Sequence, residues 1–92
     1  MAVTKITGSV RTATAGTSNF IAGVNAGNSI ASGGNYNVCV GDEAGTALTT
    51  GDNSVMVGYA AGDALTTGTL NVAVGGNALT AATTGQESTA VG

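Results

Sequence analysis

The chain of 92 residues has no proline, no tryptophan and no histidine, and its single cysteine is Cys39. One cysteine cannot make an intrachain disulfide framework, and without histidine the commonest general base and metal ligand is missing. Aromatic residues are 3% of the chain and charged residues 8%, with Lys5 and Arg11 the only bases. A thick core of large side chains is thereby excluded, as is a nucleic-acid tracker, which needs several Lys or Arg on one face. No apolar run approaches the roughly twenty residues of a membrane-spanning helix, and the N-terminus has no hydrophobic signal-peptide core. These absences predict a chain that starts at its own Met1, is made in a cytoplasm and is not exported by the general secretory route.

What is present is 42% hydrophobic residues, mostly Ala and Val, with 16 Gly and a net charge of −3. That is too apolar and too weakly charged for a disordered linker. The apolar residues recur at a fixed interval. Asn37-Val38-Cys39-Val40-Gly41, Ser54-Val55-Met56-Val57-Gly58, Asn71-Val72-Ala73-Val74-Gly75 and Ser88-Thr89-Ala90-Val91-Gly92 begin seventeen residues apart. The first three are each followed by paired threonines and a glycine, at Gly51, Gly68 and Gly85. A period of this length is the signature of a solenoid, in which coils stack and none is stable alone.

The chain divides into a non-repeat segment, 1–18, read as an extended strand with a flexible small-residue stretch, and an array, 19–92. The coils are 19–36, 37–53, 54–70, 71–87 and an incomplete 88–92. The first carries one extra residue, expected near Gly34 to Tyr36. Each coil reads as strand, turn, strand, turn: Val-rich pentads end in a corner glycine, and Ala47-Leu48-Thr49-Thr50 and Ala64-Leu65-Thr66-Thr67 form the second element. The fold class expected is all-β, a parallel β-solenoid.

Side chains alternate along a strand, so the pentads have two faces. Val38, Val40, Val55, Val57, Val72, Val74 and Val91, with Leu48 and Leu65, are assigned to the coil core. Cys39, Met56, Ala73 and Ala90 then face outward. Since strands apolar on both faces are usually buried on both, those four are the expected interface with another copy of the chain. Asn37 and Asn71, alternating with Ser54 and Ser88, are expected to form a capping ladder along the coils.

The pentads, followed by Ala-Gly or Asn-Ala, resemble the Ser-Val-Ala-Ile-Gly repeats of trimeric autotransporter adhesin heads. The longer unit, Asn-Val-Ala-Val-Gly-Gly-Asn-Ala-Leu through Thr-Thr-Gly, is similar to repeats of bacteriophage tail fibres and spikes. The resemblance covers about residues 19–92. It implies a left-handed β-roll, three chains side by side and a rigid fibre. The coil is longer than the roughly fourteen residues of adhesin heads, and export signal, neck, stalk and membrane anchor are lacking, which favours the phage fibre.

The resulting expectation is a homotrimeric structural fibre of a virion, made in the host cytoplasm. Residues 1–18 would attach it to a virion protein, with Lys5 and Arg11 as docking residues, and the shaft would support attachment to a host surface receptor. A surface adhesin is the second reading. The third is an ice-binding solenoid using Thr49, Thr66 and Thr83. No catalysis, cofactor or metal is expected: the five acids are scattered, and Asp42, Glu43 and Asp63 lack the Gly-Gly-x-Gly-x-Asp spacing of calcium-binding repeats. Gly75-Gly76-Asn77 lacks the Lys and helix of a phosphate loop.

Overall fold

The structure, a computed structural model, describes residues 10–11 and 13–92. Among the described residues six short strands form one sheet in chain order: β1 (Val10–Arg11), β2 (Phe20–Ala22), β3 (Val38–Val40), β4 (Val55–Val57), β5 (Val72–Val74) and β6 (Thr89–Val91). From β2 onward all pairings are parallel, with Phe20↔Val38, Val38↔Val55, Val55↔Val72 and Val72↔Thr89 in register. Each strand pairs with the next in sequence and no helix intervenes among the described residues, so the fold is a parallel β-solenoid.

In β3 to β6 β-branched residues flank the central strand position and favour extended backbone. The strand ends where Gly41, Gly58 and Gly75 take φ of 121°, 128° and 122°. A Cβ at Gly41 would also come within 2.7 Å of the Gly58 carbonyl in the coil above, so that corner needs glycine twice over.

Two further ladders run up the coil. In one, Gly27, Gly45 and Gly62 donate to the carbonyls of Ala44, Ala61 and Ala78 at 2.9, 2.9 and 2.8 Å. In the other, Ala31, Thr49 and Thr66 donate to Thr49, Thr66 and Thr83 at 3.0, 2.9 and 2.8 Å. The second apolar element is therefore bonded from coil to coil, but it is not a strand. The Leu48 amide turns back onto the Gly45 carbonyl at 3.0 Å, which curls the backbone before Thr49 and leaves too short an extended run for a ladder of paired residues.

The extra residue of the first coil sits at Gly33, just before the expected place. The side chain of Asn19 donates to the Gly34 carbonyl as that of Asn37 does to Gly51, both at 2.8 Å, so Gly34 is the structural equivalent of Gly51. Gly33 is exposed, with φ of 102°, inside a turn closed by the Gly34 amide on the Ala31 carbonyl at 3.0 Å.

Segment 1–18 is continuous with the array where it is described. β1 pairs antiparallel with β2 through Val10↔Ala22 and Arg11↔Ile21. The Thr14 hydroxyl accepts from Asn19 Nδ2 at 2.8 Å, and the Thr17 carbonyl accepts from the Tyr36 backbone amide at 2.9 Å. Residues 13–18 thus lie along the first coil as its lower neighbour.

The two faces of the pentad are the reverse of the sequence expectation. Ile21, Cys39, Met56 and Ala73 are inside the coil with no exposed surface, whereas Val38, Val40, Val55, Val57, Val72 and Val74 are on the outside, each half-buried. Leu48 and Leu65 are in the core as expected, together with Ala26, Ala44, Ala61 and Ala78. Ala90 is partly buried against the same core, and Val91 is 76% exposed.

The polar residue at the head of each pentad sets this phase. Asn19, Asn37, Ser54 and Asn71 are buried at 1% exposure or less. Asn37 Oδ1 accepts from the Ser54 amide at 2.9 Å while its Nδ2 donates to the Gly51 carbonyl at 2.8 Å, and Asn71 does the same to Ser88 and Gly85 at 3.0 and 2.7 Å. These inward amides satisfy backbone groups that the narrow coil cannot reach with water. With position one inward, strand alternation turns positions two and four outward and position three inward.

Ser54 is the short rung of this ladder. Its hydroxyl accepts from the Asn71 amide at 3.2 Å and donates to the Asp52 carbonyl two residues earlier in the chain, also at 3.2 Å. Ser54→Asn would add the bond from Nδ2 to the Gly68 carbonyl that matches those of Asn37 and Asn71 to Gly51 and Gly85. It is expected to raise unfolding free energy by about 1 kcal/mol in denaturant titration.

Candidate functional site

The outer surface of the sheet is the most distinctive surface of the molecule. Phe20, Val38, Val55 and Val72 form one column up the solenoid, continued by Thr89; Ala22, Val40, Val57, Val74 and Val91 form the second. None of these ten positions carries a charge. The columns are in register because the ladder bonds that stack the coils fix the same residue above its equivalent, about 4.8 Å apart.

All the large hydrophobics exposed among the described residues belong to this face or to its edges. They are Phe20, Val24, Tyr36, Tyr59, Leu70 and Val91, at 45–76% exposure. Phe20 and Val91 lie in the two strand columns. Tyr36 and Leu70 stand two residues before β3 and β5, on the corner leading into each strand, and Val24 and Tyr59 stand two residues after β2 and β4. Five coil levels at about 4.8 Å and a strand width of roughly 10 Å make an apolar face near 250 Å². The corners that border it add Val24, Tyr36, Tyr59 and Leu70 together with the charged Asp42 and Glu87 and the polar Asn53.

Cys39, Met56 and Ala73, expected at the chain-to-chain interface, cannot meet another chain from inside the coil. Cys39 is buried and carries no disulfide. Of the two expected docking residues, Lys5 lies outside the described residues; Arg11 is in β1, and its side chain is outside the described set.

The threonine ladder is turned against the backbone. Thr49 Oγ1 donates to the Thr66 carbonyl, and Thr66 Oγ1 to the Thr83 carbonyl, each at 3.1 Å. The hydroxyls of Thr49 and Thr66 are thus committed to stacking coils. The exposed hydroxyl column is the neighbouring one, Thr50, Thr67 and Thr84, with Ser32 below it.

The acids are used one at a time. Asp42 Oδ1 accepts from the Val24 amide at 3.1 Å and Asp52 Oδ1 from the Asn35 amide at 2.8 Å, each tying its coil to the one below. Among the described residues no three of His, Cys, Asp and Glu are grouped so as to hold a metal ion. Sequence reasoning missed the Val columns as the outer face. The signal that finds them is the polar residue at the head of each pentad, whose need for backbone partners sends it inward.

Comparison with protein-family models, with curated proteins and with solved structures gives no match.

Proposed function

We propose that this chain is a structural shaft protein that assembles with two further copies of itself, the valine face of each solenoid turned toward the common axis. The observation that supports this reading is the uncharged, in-register apolar face with every large hydrophobic exposed among the described residues on it or at its rim. A solenoid buries only one side of each strand, and a second apolar side is stabilised when another surface covers it. A copy of the same chain has the same coil height, so its columns stay aligned with these over any number of coils, and closed cyclic symmetry satisfies every face at once.

By its resemblance to fibre repeats, the shaft belongs to a phage virion. There segment 1–18, with Lys5 and Arg11, attaches to a virion protein, and the shaft holds a distal part toward the host surface.

Sedimentation equilibrium of the chain over a hundredfold concentration range tests the assembly. The expected mass is three times that of the monomer, persisting on dilution. A monomer with full β signal at all concentrations overturns the shaft reading.

A further inference from the structure

We infer that the chains pack parallel and in axial register, with the corner column that enters each strand of one chain seated against the corner column that leaves the same strand of the next. The inference rests on the self-assembly proposed above and specifies how it is matched.

Two columns bracket the valine face. The entering column is Ser18, Tyr36, Asn53, Leu70 and Glu87, all left-handed with φ between 55° and 60°. Ladder bonds stack it: the Tyr36, Asn53, Leu70 and Glu87 amides donate to Thr17, Asn35, Asp52 and Thr69 at 2.9–3.1 Å. The leaving column is Val24, Asp42, Tyr59 and Gly76, stacked through the Val24, Asp42 and Tyr59 carbonyls, which accept from Glu43, Ala60 and Asn77 at 2.8–2.9 Å.

The two columns are matched in size level by level. Around β2 the pair is Ser18 and Val24; around β3, Tyr36 and Asp42; around β4, Asn53 and Tyr59; around β5, Leu70 and Gly76. Each level has one bulky side chain and one small or polar one, and the bulky one changes side at every coil. In any cyclic arrangement about an axis parallel to the solenoid, the entering column of one chain meets the leaving column of its neighbour.

At zero offset every bulky residue meets a small or polar partner. Leu70 lies over Gly76, where nothing stands within 4 Å of a Cβ position. The Tyr36 hydroxyl faces the Asp42 carboxylate, and the Asn53 amide faces the Tyr59 hydroxyl, both pairs able to hydrogen-bond. Sliding the neighbour by one coil in one direction puts Tyr36 on Tyr59; in the other it puts Leu70 on Tyr59 and Asn53 on Asp42. Bulk then meets bulk and polar meets polar. The alternation therefore acts as a register key that the uniform valine columns cannot supply, since valine stacks equally well on valine at any offset.

The test is an engineered disulfide in the full chain carrying both Leu70→Cys and Gly76→Cys, with each single variant as control. Within one chain the two positions are six residues apart across an extended strand, on the order of 15 Å, beyond the roughly 7 Å limit for a disulfide. Oxidation with copper phenanthroline, followed by thiol blocking and a non-reducing denaturing gel, should convert most of the double variant to a covalent oligomer. Both single variants should remain monomeric on that gel, and reductant should reverse the link. Asn53→Cys with Tyr59→Cys should behave the same way one coil below.

If sedimentation shows an oligomer but neither pair links, or if single variants link to themselves, the register is overturned while self-assembly stands. A monomer by sedimentation removes both.

Discussion

Met56→Asp is expected to abolish the β signal in far-UV circular dichroism, while Val55→Asp, one residue away, is expected to keep it and lose the oligomer. Met56 has no exposed surface and lies in a core one side chain thick, between Cys39 below and Ala73 above. A carboxylate there has no charged partner, and burying it costs several kcal/mol, much of the roughly 5–15 kcal/mol that holds a small domain together. Val55 points outward and is half-buried. Aspartate there reaches water in the single chain, costing about 1 kcal/mol of strand preference. Three copies turned toward a common axis would place three carboxylates together in a dry seam, where like charges cost several kcal/mol. Circular dichroism with sedimentation velocity separates the outcomes. A folded, dissociated Met56→Asp beside an assembled Val55→Asp would show that the faces are the other way round.

That reversal marks where sequence reading stopped. The period of seventeen, the pentad strands, the corner glycines and the 18-residue first coil were all legible, because each depends on backbone geometry that only certain residues satisfy. Gly41, Gly58 and Gly75 recur since any Cβ would strike the coil above. The phase of the strand was not legible from hydrophobicity, because Val on one face and Cys, Met or Ala on the other are all apolar. The deciding residues were polar. Asn37, Ser54 and Asn71 read as a capping ladder along the coils, and they are one; their burial at 0% exposure is what assigns every other side chain to a face. Thr49-Thr50 misled for a related reason: threonine favours strands, but after the tight turn from Gly45 to Leu48 the cross-coil bonds there converge on a single carbonyl per level, that of Thr49, Thr66 or Thr83.

The same thinness of the core explains an exchange between two positions six residues apart. In the first three coils the inward strand residue is Ile21, Cys39 or Met56, and the corner residue that faces it is Gly27, Gly45 or Gly62, with φ of 52°, 57° and 59°. A Cβ at Gly27 would fall 2.7 Å from Ile21 Cδ1, at Gly45 2.8 Å from Cys39 Sγ, and at Gly62 2.7 Å from Met56 Sδ. The two positions compete for one volume. In the fourth coil both change: the strand residue is Ala73 and the corner is Leu79, which keeps the left-handed φ of 58° and packs against the core. Leucine in that conformation costs roughly 1 kcal/mol, offset by filling the space that Ala73 leaves empty.

Ala73→Met alone is therefore expected to overpack the coil and lower unfolding free energy by about 2–3 kcal/mol. Leu79→Gly alone opens a cavity but releases the backbone, for a net loss of about 1–2 kcal/mol. The double variant rebuilds the Met56–Gly62 arrangement one level up and should lie within about 1 kcal/mol of the parent chain. A coupling of at least about 2 kcal/mol in the double-mutant cycle, measured by denaturant titration, is the expected result. Additive losses would mean that the strand and corner side chains do not share one space.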